Sequence, residues 1–316
     1  MNEAPMSRTV TQEKNAESEA LRALAARTPV LPYEAIVVKI TPALRLGVIS
    51  ASAADKQGNI YVYHRPKKDT LQDPVVVIDA EGKLLRTFGE GTDPMPHGIE
   101  IDPDGNLWTI DANSSMVRKL TPQGEALLEV SADDLPLPDK LFRGATGVAF
   151  RKDGNFYVGD GYCNARVIEY AADGRKLREW GSKGSGPGEF NLVHDISAAD
   201  NGTIYVADRE NGRVQWFDPD GKYLGEKHFG GQLFSVAVAP DGMVCVGIQA
   251  RERVGDRIPR DVYKFDPDSG NILGRLDVFA HQLTIGRDGA LYPGTAHTKI
   301  GDDPDATSIV RFRPLN

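Results

Sequence analysis

Three of the six histidines in this 316-residue chain share one position relative to a turn. His97, His194 and His281 each stand eight residues before the glycine of an Asp-Gly or Asn-Gly pair, at Gly105, Gly202 and Gly289. Neutral imidazoles bind zinc readily. Three of them with a fourth position left open form a site that can polarise a substrate hydroxyl or activate water. The competing expectation is that each ring hydrogen-bonds a neighbouring strand and fills space. Three rings in one register favour the metal.

The elements that would position them repeat. Turn glycines recur at Gly58, Gly105, Gly154, Gly202, Gly242 and Gly289, between 40 and 49 residues apart. An apolar segment such as TGVAF precedes each, and a period-2 run such as NIYVY or TIYVA follows, the pattern of a hairpin. A third strand comes next in every unit (VVVID, RVIEY, SIVRF), and in the first five a second glycine turn leads to a fourth. Six such units predict an all-β fold, a six-bladed β-propeller. The last unit stops one strand short, and Ala35–Ile40 is expected to supply that strand and close the ring, leaving no open sheet edge. Residues 1–33 form a polar extension in which SEALRALAAR suggests one short helix, with much of the rest mobile, and 34–316 form the propeller.

In a propeller the first strand of each blade lines the central channel. Eight residues before the turn glycines stand Ser50, His97, Thr146, His194, Phe234 and His281, so the imidazoles come from alternate blades and should converge near the axis. The second strand runs back to the same mouth, ending at His64, Asp111, Asp160, Asp208, Ile248 and Thr295. Just beyond those ends lie Arg65, Tyr162 and Arg209. A tyrosine there could move a hydroxyl proton if nearby positive charge lowers its pKa, and paired arginines suit a carboxylate. The structural alternatives are inter-blade salt bridges for the arginines, with Glu210 beside Arg209, and simple packing for the tyrosine. The three aspartates are expected to bind backbone amides or arginines. His64 and His297 are weaker metal candidates, and His228 a surface residue. The segments Pro66–Pro74 and Arg251–Arg260 should rim this mouth.

Composition narrows the function. With 37 Lys+Arg against 45 Asp+Glu the formal net charge is −8, which argues against phosphate-driven nucleic-acid binding. No apolar run reaches the ~18–20 residues of a membrane helix, and the first twenty residues lack the apolar core of a secretory signal. Two cysteines, Cys163 and Cys245, do not make a disulfide framework. A cytoplasmic protein acting on a small molecule is expected, with no nucleic-acid or membrane partner.

DGYCNAR (160–166) and DRENGR (208–213) resemble the peptidyl-α-hydroxyglycine α-amidating lyases. The resemblance extends through VYHR (62–65), MPHGIEIDPDGNLWTID (95–111), GPGEFNLVHDIS (186–197) and AHQLTIGRDGALYPGTAHT (280–298), roughly residues 45–312. It implies an NHL-type six-bladed propeller with zinc held by His97, His194 and His281. It also implies a catalytic Tyr162 and active-site arginines Arg65 and Arg209. The implied reaction breaks the N–C bond of an N-acyl-α-hydroxyglycine to give an amide and glyoxylate. A calcium ion is implied on the backbone carbonyls of Ser52 and Ile99 and on an aspartate, but Gln282 stands at the aspartate's position, which makes calcium doubtful. Cys163 faces Arg143 where the family pairs cysteines, and the second pair falls near Tyr205 and Trp216, so neither bridge can form. Phe279 and Ala280 also depart from the pattern beside His281. Two rivals remain open on the sequence: a metal-dependent hydrolase or lactonase, and a non-catalytic NHL binding module.

Overall fold

The computed structural model describes residues 10–132, 144–294 and 308–315. Six four-stranded antiparallel sheets follow one another round a ring. Blade one comprises Val48–Ala54, Ile60–Arg65, Val75–Ile78 and Leu84–Phe88, each strand beside the next in sequence. Blades two to five repeat this order from their inner strands Pro96–Ile101, Ala145–Phe150, Val193–Ala198 and Gln232–Val238. Blade six holds Leu283–Ile285, Leu291–Pro293 and Ser308–Pro314, and its outer strand is Tyr33–Lys39 from the other end of the chain. That strand pairs in unbroken register from Tyr33 opposite Pro314 to Lys39 opposite Ser308, so the ring closes as the missing strand requires.

Both faces of each blade are buried because each blade packs against two neighbours. In blade one, Ile60 and Val62 face blade six with Tyr292 and Ile309, whereas Tyr61 and Tyr63 face blade two with Ile99 and Leu107. Alternation along one strand thus feeds two cores, and full burial of each such side chain contributes ~1.5–3 kcal/mol. The hairpin turn glycines all have positive φ, from 77° at Gly289 to 92° at Gly105, which explains why glycine marks every unit.

A helix over Val10–Arg27 precedes the ring, eight residues longer at its start than the segment the sequence suggested. It is docked: Leu21 is buried against Leu233, Ile248 and Ala250 of blade five, and Arg275 Nε donates to the Ala25 carbonyl. No helix among the described residues is long and apolar enough to cross a membrane.

Candidate metal centre and its mouth

A local irregularity makes the histidine column. In blades one to five the pairing of the first two strands skips one residue, between Ile49 and Ala51, Pro96 and Gly98, Ala145 and Gly147, Val193 and Asp195, and Leu233 and Ser235. The skipped residues are Ser50, His97, Thr146, His194 and Phe234. A bulge adds one unpaired residue and re-aims its side chain. Here five bulges in the same place form a single tier round the axis.

The three imidazoles meet in that tier. Ring centroids lie 4.9 Å apart for His97 and His194, 4.8 Å for His97 and His281, and 4.8 Å for His194 and His281. One ring nitrogen from each falls within 4.8 Å of the others, and all three residues are buried. Backbone carbonyls of the following blades set two of the tautomers. His97 Nδ1 lies 2.8 Å from the Thr146 carbonyl and His194 Nδ1 2.6 Å from that of Phe234. A carbonyl only accepts, so each Nδ1 carries the proton and each Nε2 keeps its lone pair, the form that ligates a metal. Burial, then the neighbouring His97 and Arg209, hold His194 well below the usual histidine pKa and keep it neutral. This donor set fits a divalent ion of the zinc type.

Tyr162 closes over the triad, its hydroxyl 3.0 Å from His97 Nε2 and 3.1 Å from His194 Nε2. It reaches this place because Gly161 lies against blade four. A Cβ at Gly161 would sit 1.7 Å from the Val193 carbonyl oxygen, so no other residue fits. Burial pushes the Tyr162 phenol up to about 12, while the positive charges of Arg209 and Arg65 pull it down. As a proton acceptor it therefore needs positive charge beyond these two arginines, which an ion in the triad would add. Arg65 donates from Nε to the Pro96 carbonyl at 2.9 Å, beside His97, and burial lowers its pKa. The Arg209 guanidinium carbon stands 5.9 Å from the Tyr162 ring centre and 5.3 Å from that of Phe234. The structure thus brings His97, His194, His281, Tyr162, Arg65 and Arg209 to one mouth. The salt bridge expected as Arg209's alternative role is also present, with Nε donating to Glu210 at 2.8 Å.

The strand-end aspartates are structural. Asp111 accepts from the Met95, Asn113 and Ser114 amides, Asp160 pairs with Arg166, and Asp208 with Arg213. His64 is buried, accepts the Gly47 N–H at 3.1 Å and is pushed down to about 4 by burial; the three-histidine cluster does not include it. His228 is exposed beside Glu226. His297 and Arg143 lie outside the described residues. Neither Cys163 nor Cys245 is in a disulfide.

The calcium implied by the resemblance does not fit. The Ser52 carbonyl accepts the Thr284 hydroxyl at 2.8 Å, and Ile99 pairs with Thr109 in its hairpin. Gln282 donates its amide to the Thr146 and His194 carbonyls at 3.2 and 3.4 Å. An amide N–H group occupies the layer where a cation would need a carboxylate.

Sequence reasoning missed Arg213, one of the largest fully buried side chains. It binds Asp208 and the carbonyls of Ser185, Gly186 and Glu189, and so ties down the loop leading into the His194 strand. The signal was available: an aspartate ending strand two, with an arginine opening strand three, recurs in blades three and four.

A buried three-histidine centre in the channel of a six-bladed propeller defines the class. Residues 190–217 match the NHL repeat family. The chain is 30% identical over 312 residues to peptidyl-glycine alpha-amidating monooxygenase B of Xenopus laevis, with 86% of this chain and 34% of that protein covered. It is 30% identical to peptidyl-alpha-hydroxyglycine alpha-amidating lyase 1 of Drosophila melanogaster, over 62% of this chain and 43% of that protein. With lyase 2 of the same organism the identity is 26%, over 84% and 72%. The chain is thus similar in sequence to proteins named as amidating lyases, and it spans about a third of the length of the monooxygenases it matches. Among solved structures, a virginiamycin B lyase from Staphylococcus aureus superposes with a TM-score of 0.62 at 13% identity, covering 90% of this chain and all of that one, a likeness of fold alone.

Proposed function

We propose that this protein is a metal-dependent lyase that cleaves the N–C bond of an N-acyl-α-hydroxyglycine or a ureidoglycolate-like compound, releasing an amide and glyoxylate. The observation that carries it is the tier in which three buried imidazoles from alternate blades meet, with the Tyr162 hydroxyl against two of them. His97, His194 and His281 would hold zinc or a similar divalent ion, which when bound acts as a Lewis acid on the substrate's α-hydroxyl. Arg65 and Arg209 bind the carboxylate, orienting the carbinol carbon over the triad. Tyr162 takes the hydroxyl proton. The electron pair of that O–H becomes the new C=O bond of glyoxylate, the C–N bond breaks, and the leaving amide nitrogen collects a proton. The bulges keep two of these groups fixed while this happens, since His97 and His194 are each set by strand pairing and by a carbonyl of the next blade. The relatives' names support lyase chemistry, and the all-histidine donor cluster among the described residues favours it over a propeller hydrolase. The test is glyoxylate release from N-benzoyl-α-hydroxyglycine by zinc-loaded protein. Silence there, together with cleavage of esters or lactones, would replace this reading with the hydrolase.

A further inference from the structure

We propose that Glu17, on the N-terminal helix, is a positioning residue for the carboxylate clamp, acting on Arg209 through Arg251 and Glu210; this rests on the lyase reading above. Arg209 is followed directly by Glu210, and a partly exposed arginine paired only with its sequence neighbour is weakly held. The structure adds two further charges in alternation. Glu210 Oε1 receives Nε and Nη2 of Arg209, both at 2.8 Å, and the Gln232 amide at 2.8 Å. Arg251 Nη2 donates to the Glu210 carbonyl at 2.6 Å and to its Oε2 at 3.2 Å. Arg251 Nη1 in turn donates to both carboxylate oxygens of Glu17, at 2.8 and 2.7 Å.

Glu17 is separated from its two loop partners by more than 200 residues of chain, and it also accepts the Gly231 N–H at 2.7 Å. That amide lies three residues before the bulged Phe234, whose ring faces Arg209. The helix is seated beside the same strands by Leu21, and the Ser18 hydroxyl accepts the Glu252 N–H at 3.1 Å. The series Glu17, Arg251, Glu210, Arg209 therefore alternates in sign from the helix to the mouth. With Glu17 present, Arg251 has a second carboxylate to pair with, and Glu210 keeps Oε1 for Arg209. Without it, one carboxylate serves two arginines, and Glu210 is drawn away from Arg209. Burial raises the Glu210 pKa and the charges of Arg209 and Arg251 lower it, the net direction being down, so the carboxylate stays ionised in this position.

The experiment compares full-length protein with Glu17→Gln, using N-benzoyl-α-hydroxyglycine and its uncharged methyl ester. The expected result is a KM about tenfold higher for the acid, equivalent to ~1.4 kcal/mol, with kcat within twofold and the ester's kinetics unchanged. Arg251→Met should behave alike, and Glu17→Gln should add nothing to Arg209→Ala. Equal losses on acid and ester, or additivity with Arg209→Ala, would show that Glu17 only fastens the helix and would overturn the proposal. If the unaltered protein releases no glyoxylate, the lyase reading fails by itself. The Nε–H signal of Arg209 in nitrogen-15 NMR then decides the positioning role. Faster solvent exchange of that proton in Glu17→Gln supports it, and an unchanged rate overturns it.

Discussion

Blades two, four and six contribute histidines to the central tier, whereas blades one, three and five contribute Ser50, Thr146 and Phe234 at the same register position. The two sets use different parts of the residue. From the even blades the side chain is what counts, since imidazole nitrogens form the donor cluster. From blades three and five it is the backbone, because the carbonyls of Thr146 and Phe234 fix the tautomers of His97 and His194. One repeated bulge thus presents His97 and His194 as candidate donors and the carbonyls of Thr146 and Phe234 as their orienters. This explains why the odd positions tolerate residues as unlike as threonine and phenylalanine.

That contrast can be broken most severely from the even side. His194→Ala should lose stoichiometric metal and reduce glyoxylate release to background, with the thermal midpoint little changed, because six inter-blade cores hold the ring. Metal analysis and a melting curve on one preparation check both halves. Tyr162→Phe keeps the triad and removes the proposed proton acceptor, so kcat should fall by about 10²–10⁴-fold with metal retained. Arg65→Ala should raise KM by about 10- to 100-fold, the worth of a charge-assisted hydrogen bond. A fall in kcat instead would move Arg65 from binding the carboxylate to stabilising the developing alkoxide.

The odd side sharpens the comparison. Thr146→Val leaves its carbonyl in place but removes hydroxyl bonds to the Gly159 and Val193 carbonyls, both 3.0 Å. It should cost about 1–3 kcal/mol in denaturant unfolding while metal content stays stoichiometric. Loss of metal in this variant would mean that the side chain, and not the carbonyl, orients His97.

A pH-dependent effect concerns a histidine outside the tier. His64, held down to about 4 when folded, has an unfolded pKa near ~6.5. Between those values the unfolded chain takes a proton that the folded chain refuses, so stability falls as pH drops. His64→Asn can still accept the Gly47 N–H, and its unfolding free energy should decline less between pH 6.5 and 4, by about 2–3 kcal/mol. Parallel pH profiles for the two proteins would remove His64 from the acid sensitivity.

The ring and the triad were legible because the repeat preserves an offset. Every blade with a bulge has it at the same place, so counting back eight residues from the turn glycine lands on the tier without knowledge of the bulge. The bulge itself was not legible: one extra residue leaves the alternation on either side intact. Nor was the helix's docking, since its ties run from Glu17 and Leu21 to loops and strands more than 200 residues away. Gly161 was readable only as a loop glycine, because the carbonyl that excludes a side chain there belongs to the next blade. The doubt about calcium turned on a single residue, Gln282, whose amide donates to backbone carbonyls where a carboxylate would have to accept a cation.

The central claim is that the three imidazoles of the even blades hold one divalent ion over which the reaction occurs. It is tested most directly by anomalous scattering at the zinc edge from a crystal of the zinc-loaded protein. The expected result is a single strong peak on the channel axis, ~2.0–2.2 Å from a ring nitrogen of each of His97, His194 and His281. A tier with no peak, or zinc bound elsewhere while the imidazoles keep only their contacts with Tyr162 and the backbone, would contradict it.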